Sequence, residues 1–177
     1  DIFGDTRVRD SAVELFGYDV DPQAVAATRE ELGSISLGKK SSFQAQQLDL
    51  RHLDRAWEDE EKFSLIYSIG LLDYLPDEMI KKLVQVASER LDGDKGLILL
   101  GNYGLENYNH TFMDKILRWR LIYRDSKKLR ELMMDSFGER SFVFQEPTGT
   151  NLFVVSSHGN NFLENAKKKY FSGYLVP

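Results

Sequence analysis

Short apolar runs alternate with segments in which apolar residues recur at helical spacing along most of the chain. The runs predict four buried strands: Val13–Asp19, Phe43–Leu48, Phe63–Ile69 and Gly96–Gly101. Such an alternation is typical of an α/β fold in which helices cover both faces of a mostly parallel sheet.

Helical spacing marks the stretches between the strands. One helix is predicted from Pro22 to Gly33, and a short one from Asp49 to Trp57. A long helix is predicted between Leu75-Pro76-Asp77-Glu78, which opens it, and Gly93, which ends it. Residues 109–137 predict two more helices. The first of these two would carry four apolar residues on one face: Phe112, Ile116, Trp119 and Tyr123.

The last third of the chain ends in two further strand-like runs. Ser141–Gln145 and Asn151–Ser156 flank the turn signal Glu146-Pro147-Thr148-Gly149, which predicts an antiparallel pair at a sheet edge. Beyond His158 the chain is polar, then basic, then aromatic, which predicts a surface arm. We therefore expect one domain over residues 1–158 and a tail over residues 159–177.

The end of the first strand carries the first candidate for ligand binding. Asp19 closes the apolar run, and Asp21 with Pro22 has the residue types of a helix N-cap and a first helical position. An acid at the carboxyl end of a buried parallel strand can accept both hydroxyls of a nucleoside ribose. Alternatively, both aspartates only cap the helix, and this segment alone does not separate the two interpretations.

Composition narrows the classes of function. The chain has 177 residues, is 42% hydrophobic and 29% charged, and has a net charge of −5. An acidic balance argues against nucleic acid as the main partner. Cysteine is absent, no apolar run has the length of a membrane helix, and the three histidines lack metal-ligand spacing. These features favour a cytoplasmic protein without a metal site.

The order of these elements from Val13 to Ser156, with acids after the first two strands, resembles the class I S-adenosylmethionine-dependent methyltransferases. The resemblance implies a Rossmann-like three-layer sandwich with an antiparallel last strand, and S-adenosylmethionine as cofactor. It implies that Asp19 binds the ribose and that Asp49 meets the adenine amino group, although Asp49 could instead cap the following helix. The implied cofactor-binding residues are Asp19, Asp49, Leu50, Ser68, Ile69 and Gly70.

Four stretches resemble a narrower bacterial group that makes 3-hydroxypalmitic acid methyl ester. They are Gly70–Pro76, Gly101-Asn102, Trp119–Arg124 and Glu146–Phe153. This resemblance implies a small-molecule acceptor such as a fatty or hydroxy acid, with Asp73, Tyr74, Tyr123 and Arg124 in the substrate site.

A lid helix would then carry Trp119, Tyr123 and Arg124 over the strand ends, and Arg124 would pair with the acceptor carboxylate. A carboxylate acceptor is already nucleophilic and needs no base, so the lack of a convincing catalytic histidine fits it. For Asp73 and Tyr74, a helix-entry turn with a packed ring is the alternative.

One departure from the family pattern concerns the Gly-rich loop that follows the family's first strand. Residues 1–10 contain a single glycine, Gly4, and are too few for a strand, a loop and a helix. We therefore expect this chain to lack the first strand and that loop. A binding or regulatory module without turnover is the main alternative function. A nicotinamide-dependent reductase is a second one, against which the antiparallel final pair and Asp49 argue.

Overall fold

The computed structural model describes residues 12–34, 41–55 and 62–177, and the chain divides into two compact units, residues 1–58 and 59–177. The prediction about the Gly-rich loop concerns residues outside the described ones.

The first unit contains a two-stranded parallel sheet. Strand β1 (Glu14–Asp19) is followed by helix α1 (Pro22–Ser34), strand β2 (Ser42–Gln47) and a 3-10 helix (Leu50–Arg55). Asp19 pairs with Gln47, so β1 and β2 end at the same edge. Val25 is buried on α1, as its spacing predicts.

The second unit contains a five-stranded sheet with the order β3-β4-β6-β5-β7. Its strands are β3 (Leu65–Ser68), β4 (Leu97–Tyr103), β5 (Ser141–Gln145), β6 (Asn151–Ser156) and β7 (Leu175–Val176). Only β3 and β4 are parallel; β6 lies antiparallel to both β4 and β5, and β7 pairs antiparallel with β5. The predicted antiparallel pairing of β5 with β6 is confirmed, but the pair does not lie at a sheet edge, because β4 flanks β6 and β7 flanks β5.

Four helices complete the second unit: α2 (Asp77–Glu89), α3 (His110–Lys115), α4 (Ser126–Phe137) and α5 (Asn160–Ala166). Helix α2 buries the stripe that its sequence predicts, and its core members are Ile80, Leu83, Val84 and Ala87. The side chain of Asp125 caps α4 by accepting the N–H of Lys128 at 2.7 Å. None of the helices in the described part of the chain is both long and apolar enough to cross a membrane.

The predicted lid helix is wrong. Helix α3 ends at Lys115, and residues 118–123 have no regular secondary structure. The backbone N–H groups of Ile122 and Arg124 donate to the carbonyls of Asp73 and Tyr103, at 2.8 and 3.1 Å. These long-range hydrogen bonds replace the helical ones, so the spacing of apolar residues between Phe112 and Tyr123 is not a helix face.

The predicted surface arm is also wrong. Leu163 is buried and packs in one cluster with Phe142 and Val155. A π-helical turn (Lys167–Phe171) follows α5, and its Phe171 ring stacks on Phe144 at 4.5 Å between centroids. Residues 159–177 therefore complete the core beside β5.

The turn between β5 and β6 is held by one carboxylate. Glu146 accepts the backbone N–H groups of Thr148, Thr150 and Asn151 at 2.6, 2.9 and 3.0 Å. Partial burial would raise the pKa of Glu146, but the hydrogen bonds from Thr148, Asn151 and Thr150 together outweigh it and lower this pKa to about 2.

Candidate functional site

Asp19 lies at the carboxyl end of β1 and is exposed. Its Oδ1 accepts the backbone N–H of Asp21 at 2.9 Å, and Oδ1 of Asp21 accepts the N–H of Gln23 at 2.8 Å. Asp21 is thus the N-cap that the sequence predicts. The second oxygen of Asp19 accepts no hydrogen bond from any described residue. Asp19 therefore shapes the turn and still has an oxygen for a ligand.

Asp49 follows β2 at the same edge as Asp19, with Leu50 half-buried at the start of the 3-10 helix. Its Oδ1 accepts both the backbone N–H and the Nε–H of Arg51 at 3.0 Å, and its Oδ2 accepts from the same guanidinium. The side-chain hydrogen bond from Arg51, with the backbone one, lowers the pKa of Asp49 to about 2. Arg51 is a partner that the sequence did not indicate, and it occupies both carboxylate oxygens.

In the second unit, Ser68 ends β3 and the chain turns at once. Ile69 is exposed, and Gly70 has a positive φ of 83°, a conformation that side chains other than glycine rarely adopt. A Cβ at Gly70 would meet no atom within 4 Å. The turn therefore leaves open backbone at the carboxyl end of β3.

Asp73 and Tyr74 form a short 3-10 helix with Leu72 just after this turn, and the two side chains differ in solvent exposure. Asp73 is buried, and its Oδ1 accepts the N–H of Tyr103 at 2.7 Å. Burial raises the pKa of Asp73, although the hydrogen bond from Tyr103 opposes the shift. Tyr74 is half exposed, and its hydroxyl accepts the indole N–H of Trp119 at 2.6 Å.

Arg124 is buried, and all five of its N–H groups are used within the protein. Nε–H and one Nη2–H donate to Oδ1 of Asp77 at 3.1 and 2.8 Å, and the other Nη2–H donates to the carbonyl of Leu75 at 2.7 Å. The two Nη1–H groups donate to the carbonyl of Leu72 and to Oδ1 of Asn102 at 2.9 and 2.7 Å.

No donor of Arg124 is left for an acceptor carboxylate, so the predicted pairing with substrate is wrong in this geometry. The guanidinium instead ties the entry of α2 to the end of β4. Sequence reasoning missed Asp77, which also accepts from Lys128 Nζ at 2.8 Å. The hydrogen bond from Lys128, with that from Arg124, lowers the pKa of Asp77.

Tyr123 joins a cluster of polar rings and a carboxylate beyond the end of β4. Its hydroxyl lies 3.4 Å from Oδ1 of Asp114, and its ring meets His110 edge-on at 5.2 Å between centroids. Nε2 of His110 lies 3.7 Å from Oδ2 of Asp114. Burial, with the charge of Asp114, raises the pKa of Tyr123.

The sequence analysis found no role for His110. The signal that could have found it is its spacing from Asp114, because residues four apart on a helix are neighbours.

Because β3 and β4 are parallel, their carboxyl ends share one edge of the sheet. The structure places Ser68, Gly70, Asp73 and Tyr123 after these two strand ends. In the first unit, Asp19 and Asp49 lie at the carboxyl ends of β1 and β2. In α/β proteins the carboxyl ends of parallel strands are where ligands bind.

Comparison with solved structures gives the fold. A possible exported protein from Bordetella parapertussis matches 82% of this chain and 53% of its own at 16% identity and a TM-score of 0.63. A SAM-dependent methyltransferase from Methanosarcina mazei matches 82% of both chains at 11% identity and a TM-score of 0.59.

Magnesium protoporphyrin IX methyltransferase from Synechocystis PCC 6803, solved with bound SAH, matches 80% of this chain and 63% of its own at 16% identity and a TM-score of 0.54. The chain has a Rossmann-like methyltransferase fold. No protein-family model matches it, and no curated protein matches its sequence. The chain spans little more than half the length of the first of these structures and less than two thirds of the third.

Proposed function

We propose that this methyltransferase-fold chain binds S-adenosylmethionine and belongs to an enzyme that methylates a small molecule. The observation that carries the proposal is Asp19: an exposed carboxylate at the carboxyl end of a parallel strand, with one oxygen that no described residue uses. That oxygen suits a ribose hydroxyl, which is a hydrogen-bond donor.

The resemblance to the methyltransferases adds Asp49 and Leu50 in the first unit, and Ser68, Ile69 and Gly70 in the second. One hydrogen bond between Asp49 and Arg51 would break, and the carboxylate oxygen freed in this way would accept a hydrogen bond from the adenine amino group. Leu50 would pack beside the base. Ser68, Ile69 and Gly70 would offer backbone groups at the turn after β3. When bound, the cofactor supplies an electrophilic methyl group on a sulfonium, and the protein's task is to position the acceptor in line with it.

For the acceptor we propose a lipophilic carboxylic acid, such as a fatty or hydroxy acid. The support is the exposed pair of Tyr74 and Trp119, whose rings are joined by a hydrogen bond near the strand ends and could cover an acyl chain. A carboxylate needs no base. Since all N–H groups of Arg124 are used within the protein, the carboxylate of the acceptor would have to be held by other groups.

A second candidate acceptor is a hydroxyl compound, and the cluster around Tyr123 favours it. Asp114 faces Nε2 of His110, which leaves Nδ1 as the nitrogen able to take a proton from an attacking hydroxyl. In that reaction the bound cofactor would supply the methyl group to the acceptor oxygen, and His110 would hold the proton that the hydroxyl releases.

Calorimetric titration with S-adenosylhomocysteine tests the binding. We expect Asp19→Ala to weaken the affinity by about 1–3 kcal/mol, because buried ligand hydroxyls lose their acceptor. Asp21→Ala is the matched control, since it removes the helix cap and lowers stability without removing the free oxygen. Equal affinities for wild type and Asp19→Ala would reduce Asp19 to a structural role.

Methyl-transfer assays then separate the acceptors. Activity on fatty acids that His110→Ala retains supports the carboxylic acid, and activity on hydroxyl compounds that this variant loses supports the second candidate. If the protein binds S-adenosylhomocysteine but methylates neither carboxylic acids nor hydroxyl compounds, the result would support a binding or regulatory module.

A further inference from the structure

We propose that residues 108–122 form a docking surface for anionic lipid. This stretch, named here the 108–122 surface, combines exposed apolar side chains with cations that have no acidic partner among the described residues. The apolar members are Tyr108, Phe112, Ile116, Leu117, Trp119 and Ile122.

The arrangement of helix α3 is the first observation. Its inward residue is Met113, which is buried. The sulfur of Met113 accepts a hydrogen bond from Nδ2 of Asn107 at 3.7 Å. Phe112 is exposed on α3 beside the polar His110, Thr111 and Lys115, and Ile116, directly after the helix, is 68% exposed. A surface helix ordinarily buries its apolar side chains. Here two large apolar side chains, one on α3 and one directly after it, are exposed to solvent instead.

Charge is the second observation. Lys115, Arg118 and Arg120 lie between the apolar residues and are exposed. None of the three forms a salt bridge with any residue that the structure describes. Asp114, the one acid of the 108–122 surface, is turned to His110 and Tyr123. A chain of net charge −5 thus concentrates unpaired positive charge beside exposed apolar groups.

The backbone holds this surface in place. The N–H of Trp119 donates to the carbonyl of Met113 at 2.9 Å, and Arg118 takes a positive φ of 53° at the bend. Further along, the indole of Trp119 is fixed by Tyr74, and the N–H of Ile122 by the carbonyl of Asp73. The apolar side chains are therefore presented by an anchored bend.

These features fit the boundary between lipid headgroups and acyl chains. Tyrosine and tryptophan favour this layer, and lysine and arginine are attracted to anionic headgroups. A second copy of the chain fits less well, because a two-fold contact through this surface would bring the same three cations against their own copies.

Tryptophan fluorescence tests the proposal directly. Only Trp57 and Trp119 are present, so Trp57→Phe leaves Trp119 as the single reporter. With vesicles of phosphatidylcholine and phosphatidylglycerol, we expect the Trp119 emission to shift to the blue and to be quenched by brominated acyl chains. Vesicles of phosphatidylcholine alone should give little change.

Two triple variants in this background give the comparison. Replacing Lys115, Arg118 and Arg120 by Gln, Asn and Gln should weaken partitioning about a hundredfold, since each cation near an anionic surface contributes about fivefold. Replacing Lys167, Lys168 and Lys169 by Gln removes the same charge elsewhere and should leave partitioning within about twofold. Circular dichroism checks that both variants fold.

Equal losses in the two variants would overturn the proposal in favour of a general charge effect. A blue shift that depends on protein concentration without vesicles would replace it by self-association. Wild-type partitioning should also fall steeply between about 0.05 and 0.5 M salt. Partitioning that is absent, or indifferent to salt, rejects the anionic surface even if the first variant fails to fold.

Discussion

Replacing Arg124 by lysine keeps the positive charge but removes the planar group with five donors. The guanidinium makes five hydrogen bonds to four acceptor atoms, whereas an ammonium has three N–H groups, so at least two hydrogen bonds are lost and at least one acceptor loses its donor. The carbonyls of Leu72 and Leu75 lie at this buried side chain, and water reaches them poorly. We therefore expect a folded protein that is markedly less stable.

The magnitude follows from the number of abandoned acceptors. A buried polar group left unsatisfied costs about 1–3 kcal/mol. Asp77 is one third exposed and can be rehydrated, so the hydrogen bond lost there adds little, and we expect Arg124→Lys to cost about 1–3 kcal/mol. For a chain of this size that lowers the melting temperature by roughly 2–12 °C.

Urea and thermal unfolding followed by far-UV circular dichroism measure this change. Arg120→Lys is the matched control, because Arg120 is exposed and its replacement should alter stability by less than about 0.5 kcal/mol. If Arg124→Lys is as stable as wild type, the hydrogen-bond network does not hold the strand ends together. Normal stability with a lost affinity for a carboxylic acid would instead return Arg124 to the substrate site.

Two further predictions concern the end of the sheet. The pKa of Glu146 lies below its ordinary value of 4.5, so its carboxylate stabilises the fold above that pH, and this stability is lost as the pH falls toward 2. Glu146→Gln should therefore cost about 1 kcal/mol at neutral pH. In this variant the unfolding free energy should also fall less steeply as the pH is lowered toward 2. Phe171→Ala should lower the free energy of unfolding in urea by about 2–4 kcal/mol, because the Phe171 ring stacks on Phe144. Tyr170→Ala is the control and should cost under about 0.5 kcal/mol, because Tyr170 is exposed. Equal costs would mean that residues 159–177 do not complete the core.

The parts of the fold that depend on local pattern could be predicted from the sequence. Helix α2 was found because its apolar residues repeat at helical spacing, and Asp21 because its cap needs only neighbouring residues. The same rule failed at Trp119 and Tyr123, whose spacing imitates a helix. There, hydrogen bonds to residues distant in sequence determine the backbone conformation, and the spacing of side chains does not predict those hydrogen bonds.

The candidate site shows the same division. Asp19 and Gly70 could be located because strand ends and turns have local signals. The burial of Arg124 depends on four acceptors from three other segments, and no spacing in the sequence brings them together. An arginine that was a good candidate for substrate by residue type is therefore a structural one.

The position of β4 between β3 and β6 has a consequence for how the protein is made. One neighbour, β3, precedes it closely in the chain, but the other, β6, is synthesised only after α3, α4 and β5. On the ribosome, β4 must wait with the backbone hydrogen-bonding groups of one edge unpaired until residues 151–156 have emerged. Since pairings between distant segments close slowly, this interval is when the nascent chain is most exposed to aggregation and most in need of a chaperone.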